Sequence, residues 1–312
     1  MALFPAPILT NGATHSAQQF RMLVRDLANG AEGITAGSDL KVTQLGTPGG
    51  SVQVGVGSGV VKGRVSAFQG HYAVCNTAAV TVAIAPTSGT GRSDMLILRV
   101  EDPEYEGTLN PATDQIAYFQ IISNVSSSAT TIPDGRTGIP LARIDIPSST
   151  ATITNAMIKD IRACANPRTL RRLFTQSPAS ASANISGTSG TMAYFSTAAG
   201  WNVAIPDWAS SAIVSITIGG LRGQTGSFYG ALGATFGASL GVQTTLIDDN
   251  GGTGVRRSTQ ALADTLTIPD AYRGTTQLLR VQATGYAGNA GVLNVDNVTT
   301  FIYDIQFSEA PR

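Results

Sequence analysis

Charge, histidine and cysteine are scarce in this chain, and each scarcity removes a class of function. Only 13% of the 312 residues are charged, and the formal net charge is zero. Phosphate recognition needs clustered Lys and Arg, so nucleic acid is not an expected partner. The local cluster Arg168, Arg171 and Arg172 is too small to line a groove. Both histidines (His15, His71) and all three lysines (Lys41, Lys62, Lys159) lie before Asp160. After Pro178 there is no His, Lys or Cys, and six arginines stand against eight Asp/Glu. A Ser-His-Asp site therefore cannot be assembled within the C-terminal part. Two cysteines, Cys75 and Cys164, are too few for a disulfide scaffold and read as small buried apolar residues with free thiols. No apolar run is long enough to span a membrane, and residues 1–15 hold two prolines and no basic n-region. The expectation is a chain made in a cytoplasm, with no membrane insertion.

What is present is glycine (35 residues), Ser and Thr, with 42% hydrophobic residues. That mixture belongs to many short strands joined by turns. One helix stands out near the start. Ser16 and Gln19 form a capping-box pattern, Phe20, Leu23, Val24 and Leu27 recur at helical spacing, and Asn29-Gly30 supplies the stop. The plainer reading of that stripe is packing on its own domain's sheet. The sharper reading is packing against symmetry copies, which makes Phe20, Leu23, Val24 and Leu27 the candidate oligomer interface. From Asp39 to Arg162 short alternating segments are divided by Gly, Pro, Asn and Ser turns, as in a sandwich or open barrel. Asn166–Phe174 can form a short helix after Pro167, and Thr175–Thr191 has the Ser/Ala/Gly/Thr composition of a linker. Strands resume from Met192. The expected architecture is all-β: two antiparallel, jelly-roll-like β-sandwiches, residues 1–165 and 192–312, joined by a Ser/Gly-rich linker over 166–191.

Several motifs yield to plain explanations. The run Gly55-Val56-Gly57-Ser58-Gly59 lacks the Gly-Lys-Ser/Thr of a phosphate loop, so its glycines read as bulges or close backbone approaches. Asp248 and Asp249 are adjacent, which on a strand sends them to opposite faces and in a turn caps backbone amides. A glycosidase pair is not expected there. Glu101-Asp102-Pro103-Glu104-Tyr105-Glu106 could offer oxygen ligands to Ca²⁺ but has the wrong spacing for an EF-hand, and reads as an acidic hairpin tip. No metal ligand set, cofactor site or catalytic residue is expected. Sugars stack on aromatic rings, and the C-terminal part offers Trp201, Trp208, Tyr229, Tyr272 and Tyr286 with Asp, Asn and Arg nearby.

The order of segments is itself informative. A VxVGxGxxxVxG run precedes a Tyr-Ala-Val strand and a Val-Thr-Val-Ala-Ile strand. Then come Arg92–Val100 (RSDMLILRV) and Gly138–Arg162 (GIPLARIDIPSSTATITNAMIKDIR). Residues ~10–163 resemble the attachment half of minor tail and baseplate receptor-binding proteins of long-tailed bacteriophages. The resemblance implies a structural virion protein at a tail tip, attached by its N-terminal domain to other tail or baseplate proteins. It implies a C-terminal domain that binds a host cell-surface glycan, and a homotrimer. The alternatives are a surface-polymer depolymerase or esterase, which the missing C-terminal histidine disfavours, and a tail or head-decoration protein that binds no receptor.

Overall fold

The computed structural model describes residues 3–4, 6–179, 184–195 and 199–312. The fold is all-β, and the chain divides into two compact units: Met1–Pro167 with Ala310–Arg312, and Arg168–Glu309.

The first unit begins with α1 (Ala17–Leu27), followed by β1 (Gly33–Ile34), β2 (Val42–Gly49), β3 (Ser51–Val54), β4 (Gly57–Lys62), β5 (His71–Asn76) and β6 (Val80–Ala83). Four longer or later strands complete it: β7 (Arg92–Val100), β8 (Ala117–Val125), β9 (Gly138–Ile146) and β10 (Ile158–Asp160). They pair antiparallel in three sheets, ordered β1-β4-β5, β2-β3-β6 and β10-β9-β7-β8. Ser93 to Leu98 of β7 is buried without interruption, so this strand is covered on both faces and forms the spine of the unit. The segment that ends in Asp160-Ile161-Arg162 has a structural role. The Arg162 side chain is fully buried, its Nη2 meets Asp160 at 2.6 Å, and its Nη1 donates to the Asp39 carbonyl. Gly57 has φ +141°, and a Cβ there would fall 2.5 Å from Asp39, so the glycine run marks a close backbone approach. Neither cysteine is in a disulfide, and Cys75 is exposed rather than buried, because alternation along β5 turns it away from the core side that Tyr72 and Val74 occupy.

α1 starts with the capping box its sequence announces: the Gln19 amide donates to Ser16 Oγ at 3.2 Å, and the Ser16 amide to Gln19 Oε1 at 2.9 Å. It is the polar side of this helix that packs inward. Gln19 and Arg21 are buried, whereas Phe20 is 47% and Leu27 72% exposed, with Leu23 and Val24 half-buried. Packing of the stripe on its own sheet is therefore not what forms. The reason lies across the chain. Arg21 Nη1 meets Asp102 at 3.2 Å, its Nη2 meets Glu104 at 2.7 Å, and its guanidinium lies 5.6 Å and 5.2 Å from the rings of Tyr72 and Tyr105. Its Nε donates to the Gln69 carbonyl at 2.8 Å. The Tyr72 hydroxyl donates to Asp102 at 2.8 Å, and burial pushes that phenol's pKa upward. Arg99 lies 3.5 Å from both Glu101 and Glu106. The acidic run is thus a seat for two arginines and not a solvated tip. Among the described residues no group of three or more His, Cys, Asp or Glu is placed to hold a metal ion.

The second unit contains β11 (Thr169–Gln176), β12 (Ala193–Tyr194), β13 (Gly200–Ala204), β14 (Ser211–Gln224) and β15 (Tyr229–Phe236). It continues through β16 (Leu240–Asp248), β17 (Arg256–Thr267), β18 (Thr276–Gly285), β19 (Val292–Asn294) and β20 (Thr300–Ser308). One sheet runs β11-β20-β14-β17 with β19 also on β14; the other runs β12-β18-β15-β16 with β13 also on β18. With the short β19 set aside, the pairs nest inward as β11–β20, β12 and β13–β18, β14–β17 and β15–β16, which is a long hairpin rolled over itself: a jelly roll. Alternation along β20 sends Phe301, Tyr303, Ile305 and Phe307 into the core and Ile302, Asp304 and Gln306 outward. Phe195, Phe228 and Phe236 fill the space between the sheets.

The segment expected as a short helix and linker takes another form. Thr169–Gln176 pairs with Phe301–Ser308 over eight residues, and Leu170 and Phe174 pack on the core. Farther along, Ile185 is buried and bridges Leu293. The unit boundary accordingly falls between Pro167 and Arg168. Residues 180–183 of the expected linker lie outside the described residues.

The phenol of Tyr303 is wholly buried with no hydrogen-bond partner among the described residues. Burial raises its pKa above the ordinary 10.0. Below pH 10 the phenol is neutral in both folded and unfolded chains. Above it the unfolded chain ionises first, so stability falls as pH rises, by about 1.4 kcal/mol per pH unit. Tyr303→Phe should leave neutral-pH stability unchanged or raise it by about 1 kcal/mol. It should also flatten the alkaline fall of the second unit's transition. Urea melts at neutral and alkaline pH check both expectations.

Candidate ligand-binding end of the second unit

The jelly roll has two unlike ends. At one, the chain enters at Arg168 and leaves at Glu309, and the two side chains pair at 2.6 Å. Trp208 lies at this end with the Arg168 guanidinium 5.2 Å from its ring, half-buried against the core. Tyr272 is here too, its hydroxyl accepting from the Ser239 amide at 2.8 Å and Ser239 Oγ at 2.9 Å. Those bonds hold its phenol below the ordinary pKa. Trp201, opposite Leu279 on β18, stacks on Phe174 at 5.0 Å and 22° and closes an edge of the sandwich. These three aromatics are committed to packing or local bonds and form no shared surface with the remaining two.

At the other end β15 begins and β16 and β18 finish. Tyr229 and Tyr286 meet edge to face there, ring centroids 5.8 Å apart at 67°. Tyr229 is 38% exposed. The pair is fixed from the backbone: the Tyr286 amide donates to the Tyr229 carbonyl at 3.0 Å, and the Tyr229 amide to Asn289 Oδ1 at 3.0 Å. Next to it the chains approach so closely that a Cβ on Gly230 would lie 2.0 Å from the Thr284 carbonyl. The glycine there is required by that contact.

Across β16, Asp248 is the register partner of Tyr229, so the two side chains share a face. Asp248 is exposed, and its carboxylate makes no hydrogen bond or ion pair among the described residues. Its neighbour Asp249 behaves oppositely. Arg256 Nε meets its two carboxylate oxygens at 2.7 and 2.6 Å, which holds that carboxyl below the usual range. Arg256 also donates to the carbonyls of Gly226, Gly252 and Gly254, stitching the turn after β16 to the turn after β14. Arg257 pairs with Asp296 at 2.6 Å in the same way. Between β16 and β17 lies a groove of about 500 Å³, bordered by Leu246, Asp248, Asn250, Ser258 and Gln260.

Of the aromatics singled out in the sequence, the structure brings together Tyr229 and Tyr286 only. Asp248, Asn250, Ser258 and Gln260 join them. The Asp-Asp-Asn-Gly-Gly turn marks that place in the sequence, but which of its two carboxylates stays unpaired depends on Arg256, which closes onto Asp249.

No family model matches the chain, and no curated protein matches its sequence. Among solved structures it is similar to the VP2 subviral particle of infectious bursal disease virus, at 13% identity over 90% of this chain and 74% of that one, TM-score 0.26. It is also similar to a Bacillus thuringiensis Cry1Da tryptic core variant, at 10% identity over 98% and 57%, TM-score 0.21. A third is a carbohydrate-binding module of the β-sandwich superfamily, at 10% identity over 90% and 96%, TM-score 0.17. Likenesses this faint carry no functional argument, and function must be read from the site.

Proposed function

We propose that this chain is a structural and adhesive virion protein at the tail tip of a long-tailed bacteriophage. In this reading the first unit attaches to the tail or baseplate, and the second binds a host cell-surface glycan without altering it. The sequence order from the VxVGxG run to Asp160-Ile161-Arg162 supports the attachment role. The observation that carries the adhesive role is the Tyr229–Tyr286 pair. Tyr229 is 38% exposed and Tyr286 half-buried, at the end of the jelly roll opposite both chain crossings and beside a polar groove. Aromatic faces with amides, hydroxyls and a carboxylate around them suit the mixed apolar and hydroxyl surface of a sugar. Binding without turnover agrees with the lack of histidine after Pro178. The test is saturable binding of the labelled chain to host cells, lost when surface polysaccharide is stripped. Equal binding to stripped cells would refute the glycan assignment.

Self-association into a trimer belongs to the same reading. Two residues of the α1 stripe face outward (Phe20 47% and Leu27 72% exposed), and three weak contacts on one rigid body bind far more tightly than one. Because those side chains are not core, Phe20→Glu with Leu27→Glu should leave the fold intact and convert trimer to monomer. Light scattering and circular dichroism together check this. A monomer before mutation, both in solution and in the virion, would refute the trimer.

A further inference from the structure

Resting on the glycan reading above, we infer that the far end of the jelly roll selects an amine-bearing saccharide, with the unpaired Asp248 carboxylate beside the Tyr229 ring as the ammonium seat. Three observations converge. Asp248 and Tyr229 are register partners on one face, which brings their Cβ atoms to about 5 Å. An ammonium group is held by a carboxylate on one side and by the negative face of an aromatic ring on the other. Next, the two arginines that border the groove are already neutralised, Arg256 by Asp249 and Arg257 by Asp296, while Arg222, cross-strand from Arg257, is not part of its lining. Neither is left to pair with an anionic sugar. With both of those arginines held by carboxylates, Asp248 is the one charged side chain of the groove's lining left unpaired, which favours an ammonium over a uronate, sialate or phosphate. Finally, the groove that Asp248 borders continues past Asn250, Ser258 and Gln260, whose amides and hydroxyl can bond the hydroxyls of further sugar units.

The experiment uses the full chain and three oligosaccharides of equal length: glucosamine, N-acetylglucosamine and galacturonate oligomers, measured by calorimetry in mildly acidic buffer. The first two differ in the acetyl group, which removes the charge from the nitrogen. The glucosamine oligomer should bind about tenfold more tightly than its acetylated form, and the galacturonate oligomer should not bind. Asp248→Asn, which keeps shape and removes charge, should abolish the preference. Equal or tighter binding of the acetylated or anionic oligomer overturns the amine assignment. If Tyr229→Ala then abolishes that binding, the glycan reading survives without it. A preference that persists in Asp248→Asn overturns the seat. No binding of any of the three, with host-cell binding retained, also overturns the amine assignment; loss of host-cell binding as well refutes both.

Discussion

Arg21→Met should cost the first unit about 3 kcal/mol, the low end of what breaking a buried ion pair costs. The Arg21 and Asp102 side chains are only 10% and 12% exposed, while Glu104 is 54% exposed and can return to water. Methionine keeps the contact with the rings of Tyr72 and Tyr105 and removes the charge, leaving Asp102 buried beside Tyr72 with no cation. The urea midpoint of the first unit should drop, and α1 should become the earliest site of proteolytic nicking. Arg21→Lys should recover roughly half the loss, because an ammonium restores charge but not the forked contacts. A loss below about 0.5 kcal/mol, the usual size for a surface substitution, would mean that α1 is held by something other than this network.

The same residue shows where sequence reading stops. The helix itself is legible: the capping box, the period of Phe20, Leu23, Val24 and Leu27, and the Asn29-Gly30 stop are all local signals. Which side of it packs inward is not, because Arg21 finds its partners 81 to 84 residues away, at Asp102, Glu104 and Tyr105. The acidic run fails to read correctly for the mirror-image reason. β11 shows a different limit. Asn166–Phe174 is rich in Leu and Arg, good helix formers, yet eight residues of pairing with β20 override that propensity. The two sandwich-rich regions and the long strands β14 and β20 follow from alternation and β7 from its continuous apolar run, whereas the two- and three-residue strands β1, β12 and β19 exist only as partners of distant segments. At the candidate site the five aromatics were visible in sequence, but their sorting was not. Trp201, Trp208 and Tyr272 are taken up by Phe174, Arg168 and Ser239, contacts that only the rolled topology creates.

Removing the tyrosine pair should have the larger effect on function. Tyr229→Ala with Tyr286→Ala should weaken binding to host cells by about a hundredfold, from the loss of ring stacking worth about 1–1.5 kcal/mol at each position. Tyr229 is partly exposed and the jelly-roll core does not include either ring, so the urea midpoint of the second unit should move little. Trp208→Ala, at the opposite end, serves as the comparison and should leave binding within about twofold. If Trp208→Ala weakens binding as much as the tyrosine double variant, the binding surface is at the wrong end in this account.

The most direct test of the central claim is immunoelectron microscopy of purified virus particles with an antibody raised against residues 168–309. The account predicts label confined to the tail tip, and loss of particle adsorption to host cells when the same antibody is bound. Label on the head or along the tail shaft, or unimpaired adsorption with the tip fully decorated, would contradict it.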